Sequence, residues 1–270
     1  MNMMKSTDSL ITKFISYFSN VFNEKFFIAT EKLLLDLTSL TIPTATIIGF
    51  FISLVIAIKT DSLTNFGAGF AWILLVVIFH FIGGRFLNNN LLMIKNNPNT
   101  ISNKDILDVY SISLIALLIG IIIFNIFLSI KISSLFPLLN ILYIGLPIFF
   151  ITILFLNPKL VSLNISGNST AGEDALSLLS LGMKILMRLS VIFFGLAGPI
   201  GGLFLLKNLT DILSNNILIN YFQISSFAGA PILAFGLIYP FFIYIIFIAT
   251  YLSIDLMKSI LSINNSSKKS

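Results

Sequence analysis

Cysteine is absent from this 270-residue chain, histidine occurs once, and only 10% of the residues are charged. The absence of cysteine excludes disulfides, thiolate metal sites and cysteine nucleophiles. The one histidine, His80, has no nearby carboxylate on its own helix and cannot form a zinc site alone. A soluble domain usually carries about 25% charged residues. We therefore expect lipid, and not water, to surround most of this chain.

The common catalytic motifs are also absent from the sequence. It contains no G-x-S-x-G, no H-E-x-x-H, no Walker loop and no carboxylate cluster of the kind that binds phosphates in membrane prenyltransferases. The paired aspartates or Ser/His pair that an intramembrane protease needs within its spans are missing as well. We therefore expect no catalytic residue, no bound metal and no cofactor.

Hydrophobic residues make up 57% of the chain and its mean hydropathy is +1.01. They are gathered into blocks of roughly 20 residues, the length that a helix needs to cross about 30 Å of hydrocarbon. The sequence predicts an all-α membrane protein, a bundle of six transmembrane helices within residues 37–256. The predicted spans are residues 42–58, 66–84, 110–130, 137–156, 187–206 and 231–254.

The first 36 residues are predicted to form a separate amphipathic segment. Apolar residues, among them Ile11, Phe14, Phe18 and Phe22, recur there at helical spacing with polar residues between them. Such a stripe is typical of a helix that lies in the headgroup layer. A cytoplasmic helix packed on the rest of the protein accounts for the pattern equally well.

The lysines and arginines indicate the orientation. With a cytoplasmic N-terminus, thirteen basic residues lie on the inside and only Lys59, Lys131 and Lys207 lie outside. This places both termini in the cytoplasm, with residues 257–270 as a basic tail, and the chain in the inner (plasma) membrane of a prokaryote. Because the basic residues flank apolar blocks, we expect membrane lipids as partners and no nucleic acid.

Two helix starts carry capping patterns. Ser102 and Asp105 precede the third span, and Thr170 and Glu173 precede the fifth, each pair offering oxygen acceptors to free backbone N–H groups. A helix from Glu173 to Leu206 would be about 50 Å long. It would therefore extend beyond the hydrocarbon at its first turns.

Small residues are concentrated in the fifth span. Gly195, Gly198 and Gly202 share nearly one face, and such spacing lets two helix backbones approach closely. Pro199 should kink the helix because it removes one hydrogen bond. Tight packing within the bundle or between protomers is the favoured interpretation. A hinge that lines a substrate path is the alternative.

The remaining candidate residues are polar. Lys184 and Arg188 lie one turn apart where the fifth helix enters the membrane, which favours contact with lipid phosphates or another anion. His80 and Asn125 are candidate polar residues within the membrane, and we favour a structural role for His80 over a titrating one. No acidic or basic residue lies in the middle of a predicted span, which disfavours an ion-coupled mechanism.

Two functions remain after these exclusions. We favour a non-catalytic integral membrane protein that acts through helix packing with itself or with other membrane proteins. The alternative is a transporter or channel for a small solute. A water-accessible cavity beside Pro199 and Pro240 would favour transport, and solid packing there would favour association.

Overall fold

The computed structural model describes residues 2–133, 137–138, 141–166, 170–214 and 229–267. These residues contain seven α-helices and two short strands. In chain order the elements are α1 (Asn2–Val21), α2 (Glu24–Thr60), α3 (Leu63–Asn96), β1 (Asn99–Ile101), α4 (Asp105–Lys131), α5 (Leu146–Leu156), β2 (Leu163–Ile165), α6 (Ala171–Ser214) and α7 (Gly229–Ser267). The predicted all-α class is confirmed.

Five of the helices are long and apolar enough to cross a membrane: α2, α3, α4, α6 and the part of α7 over Gly229–Ile260. The predicted fourth span is different. It contains a π-helical turn at Ile141–Gly145 and then α5, whose 11 residues extend about 16 Å and are shorter than the hydrocarbon core. Residues 139 and 140 of that span lie outside the described residues. The six-span count therefore stays a prediction.

The helices extend well beyond the predicted spans. Helix α2 begins at Glu24, so the predicted domain boundary between residues 36 and 37 falls inside it. Helix α3 continues past Arg85 to Asn96, and α6 is 44 residues long. Hydropathy marks the part of a helix that matches lipid, whereas backbone hydrogen bonding continues until a capping or breaking residue ends it.

The chain divides into two compact units, which are described separately. Unit 1 comprises Met1–Thr30, Leu91–Leu189 and Ile245–Ser270, and unit 2 comprises Glu31–Asn90 and Ser190–Tyr244. In unit 1, β1 and β2 pair in parallel, with Thr100 opposite Asn164. This pairing joins the segment after α3 to the segment after α5.

The two capping predictions had different outcomes. At the start of α6, the Glu173 carboxylate accepts a hydrogen bond from the Thr170 N–H at 2.8 Å, and the Thr170 hydroxyl accepts one from the Glu173 N–H at 3.4 Å. This capping box is confirmed. The predicted role of Ser102 at α4 is wrong, because its N–H donates to the Asp174 carboxylate at 2.9 Å and its hydroxyl binds the same group. Asn103 instead accepts from the Asp105 N–H at 2.8 Å.

The aromatic stripe of the N-terminal segment packs partly against α5. The rings of Phe18 and Phe22 lie 6.2 and 4.9 Å from the ring of Phe149, in edge-on geometry. Phe14 and Tyr17 of the same helix remain exposed. Ring contacts of this kind anchor one side of this segment on α5.

Candidate functional site

The glycines of α6 that the sequence singled out lie against α2 in unit 2. A Cβ at Gly195 would lie only 2.6 Å from the Leu34 Cβ, and one at Gly198 would lie 3.1 Å from the backbone nitrogen of Ile42. A Cβ at Gly202 would be in ordinary contact, 3.5 Å from its nearest neighbour on α2. Only a hydrogen fits at the first two positions, so the two helices approach at backbone distance.

A second glycine contact closes another side of α6, against α7. A Cβ at Gly201 would lie 2.9 Å from the Leu233 Cβ, and one at Gly236 would lie 2.6 Å from the Ala197 Cβ and 2.7 Å from the Phe193 carbonyl oxygen. Helix α6 is the most buried of the five long helices. In its most apolar stretch 67% of the residues are buried, compared with 17% in α3 and 17% in α4. Within unit 2 it is packed tightly on two sides.

Pro199 lies inside α6 and has no backbone N–H to offer. The carbonyl of Gly195, four residues earlier, therefore loses its helical partner. The hydroxyl of Thr38, a buried residue of α2, donates to that carbonyl oxygen and lies 3.3 Å from the carbonyl oxygen of Phe194. The structure thus compensates for the proline with a side chain from the neighbouring helix.

Replacing Thr38 with valine should lower the free energy of unfolding by about 1–3 kcal/mol, because it leaves the Gly195 carbonyl without a donor. The loss should shrink when Pro199 is replaced with alanine, whose N–H restores the helical bond. Unfolding of the four chains of this double-mutant cycle in detergent measures the coupling. Equal losses from Thr38→Val in both backgrounds would show that the hydroxyl does not serve this carbonyl.

His80 and Asn125 lie in different surroundings. The half-buried His80 ring on α3 stacks on Phe194 of α6, with 5.5 Å between ring centroids and 20° between planes. In unit 1, Asn125 is buried on α4 and its amide donates to the Ile121 carbonyl of its own helix at 2.9 Å. This bond to the carbonyl four residues earlier satisfies part of the polar side chain within its own helix.

Lys184 and Arg188 lie inside unit 1. Lys184 is fully buried, and its ammonium donates to the Ser162 carbonyl at 3.4 Å. The Arg188 guanidinium lies over the Phe27 ring, 5.3 Å from its centroid. Their predicted contact with lipid phosphates or another anion stays a prediction, and in this structure Lys184 is covered by protein.

Two buried polar groups escaped the sequence reasoning. In unit 1, the amide of Asn99 donates to the Ser180 hydroxyl, which also bonds the Tyr251 hydroxyl, and all three residues are buried. In unit 2, the buried Asn90 amide donates to the Ser190 hydroxyl and to the Pro240 carbonyl, both at 3.1 Å. Asn90 and Asn99 follow the predicted end of the second span, where polar residues are expected to be solvated.

These groups can donate, accept and pack, but they do not form a reactive set. Among the described residues, no three His, Asp or Glu side chains come together to hold a metal ion. The neutral Asn, Ser and Tyr groups bond one another and the backbone. What the arrangement provides is close helix packing in which the buried amides of Asn90 and Asn99 donate to neighbouring groups.

Comparison of the chain with family models, with curated proteins and with solved structures finds no match. The class of the protein therefore follows from the helices themselves. Five of them have the length and apolar composition that crossing a bilayer requires. The chain has the helices of a multi-pass α-helical membrane protein.

Proposed function

We propose that this protein is a non-catalytic component of a prokaryotic inner membrane that acts by associating with itself or with other membrane proteins. One observation carries the proposal, namely that α6 is closed against α2 and α7 by backbone-distance contacts at Gly195, Gly201 and Gly236. Such packing supports a solid bundle where these glycines of α6 meet α2 and α7. The absence of known catalytic motifs from the sequence supports a role other than an enzyme.

The transporter alternative needs a lumen at the two helix-interrupting prolines. Described residues of unit 2 line a cavity of about 260 Å³ beside Trp72 and one of about 900 Å³ beside His80. Neither Pro199 nor Pro240 lines either of them. Association therefore has the better support.

The proposal includes six spans, with α5 and the residues before it as the fourth, an interfacial α1, and both termini in the cytoplasm. The distribution of basic residues supports this topology. With it, three lysines lie on the predicted outside and the other thirteen basic residues lie on the cytoplasmic side. Two of the three outer lysines bind protein groups. Lys59 donates to the Ile212 carbonyl at 2.6 Å, and Lys207 pairs with Asp211 at 3.4 Å.

Association can be tested with a matched pair of variants. Ala116 and Gly120 are exposed on α4, four residues apart, and nothing lies within 4 Å of a Cβ at Gly120. A small-residue pair of this kind accepts another helix at short range. Gly67 on α3 is equally open and serves as the control.

We expect single-molecule photobleaching of fluorescently labelled full-length chains, diluted in liposomes, to show two or more steps per spot, one for each associated chain. Gly120→Leu should shift the distribution toward single steps, and Gly67→Leu should not. A wild-type chain that bleaches only in single steps would overturn the proposal. So would an equal response to the two leucine variants, since that response would reflect crowding of the bilayer and not a defined face.

A further inference from the structure

The larger cavity of unit 2 is a groove between α2 and α3 with a volume of about 900 Å³. Apolar side chains form its walls, with Pro43 and Ile47 on α2 and Val77 and Phe81 on α3. Thr46 also lines it, but its hydroxyl bonds the Ile42 carbonyl of its own helix at 2.8 Å. The walls therefore offer an apolar surface suited to a hydrocarbon chain.

One end of the groove is polar. Arg85, Asn88 and Asn89 line it there, and His80 lies between them and the apolar part. The exposed Arg85 guanidinium lies 5.0 Å from the centroid of the Phe81 ring. Arg85 belongs to neither the Lys104–Asp108 nor the Lys207–Asp211 ion pair. An exposed cation beside carboxamide donors suits a phosphate group.

The length of the groove matches one leaflet. From Val76 to Asn89 along α3 is about 20 Å at the rise of a helix. Half of the hydrocarbon core is about 15 Å, and the headgroup layer adds the rest. A groove with a cation at one end and an apolar slot of this length is complementary to a phospholipid, which has an anionic phosphate beside its acyl chains.

We propose that this groove binds an anionic phospholipid, with its phosphate at Arg85 and one acyl chain between α2 and α3. The headgroup is held by the guanidinium and by the amides of Asn88 and Asn89. The chain lies along Pro43, Ile47 and Val77. This site is independent of whether the protein associates with other proteins.

The headgroup contact is tested with Arg85→Gln in the full-length chain. Native mass spectrometry of the purified protein, titrated with phosphatidylglycerol or with zwitterionic phosphatidylcholine, measures how much of each lipid is retained. We expect the variant to retain phosphatidylglycerol about fivefold more weakly, since one basic residue near a membrane surface contributes about 1 kcal/mol. Lys32→Gln removes an exposed charge of α2 that does not line the groove, and it should leave retention unchanged.

The slot is tested with Gly84→Leu. Gly84 lines the groove and nothing lies within 4 Å of a Cβ there, so the Cβ of a leucine has room and the rest of its side chain occupies part of the slot. It should weaken retention of both lipids several-fold, while Gly67→Leu on the same helix should not. Equal losses from Arg85→Gln and Lys32→Gln, or full retention by Gly84→Leu, would overturn the proposal. If Gly84→Leu lowered self-association and left lipid retention intact, the groove would belong to a second copy.

Discussion

Replacing Gly83 with alanine should lower the free energy of unfolding by about 3 kcal/mol or more, because overpacking against a backbone group has little room to relax. A Cβ at Gly83 would overlap the Leu237 carbonyl oxygen of α7 and lie 2.9 Å from the Phe194 ring. Both obstacles belong to well-packed helices. The alanine therefore forces α3 away from α6 and α7.

The neighbouring residue provides the control. Gly84 belongs to the same helix and a Cβ there meets nothing within 4 Å. Gly84→Ala should be neutral or stabilise the protein by up to about 1 kcal/mol, the usual gain of alanine over glycine in a helix. Unfolding of the two variants by denaturing detergent measures the difference. If both unfold at the same point, the close approach of α3 to α7 is wrong.

Replacing Lys184 with methionine should stabilise the protein. The ammonium has three N–H donors, and its acceptor, the Ser162 carbonyl, lies at 3.4 Å, longer than the usual 2.9 Å or so. Lys258 is close enough to repel it, and among the described residues no carboxylate pairs with it. Methionine keeps the length of the side chain and removes the desolvated charge.

Exchange of buried ionic groups for apolar ones of similar volume raises stability by about 1–4 kcal/mol where the charge is poorly compensated. Thermal unfolding of Lys184→Met should show an increase of that order. Lys104 in the same unit pairs with Asp108 at 3.6 Å and is 49% exposed, so Lys104→Met should change stability by less than about 1 kcal/mol. A clear loss of stability in Lys184→Met, with Lys104→Met unchanged, would show that the buried ammonium stabilises the fold.

The sequence predicted features that depend on local pattern. Hydropathy located the five long helices, and the capping box at Thr170 and Glu173 is confirmed because its partners are three residues apart. Helix ends were predicted less well. Helix α3 continues 12 residues beyond Gly84, the predicted end of its span. Polar residues such as Arg85 and Asn88 end the apolar stretch there but do not break the helix.

Contacts between distant residues were beyond the reach of the sequence. Ser102 was predicted to cap α4, but its partner Asp174 is 72 residues away. The donor for the carbonyl freed by Pro199 is Thr38, 157 residues from Gly195. Spacing suggested a packing face at Gly195 and Gly198 but did not name the helix that covers it. Nor did any local signal separate Gly83 from its open neighbour.

The pairing of β1 with β2 has a consequence for biosynthesis. Thr100 meets Asn164 only after the ribosome has made the residues between them, which include all of α4 and α5. At about 5–20 residues per second this interval is several seconds. During that time the backbone amides and carbonyls of Asn99–Ile101 have no strand to bind. The ribosome must therefore complete α4 and α5 before β1 can pair with β2. A nascent polypeptide stalled before Leu163 should leave the segment around β1 open to proteases.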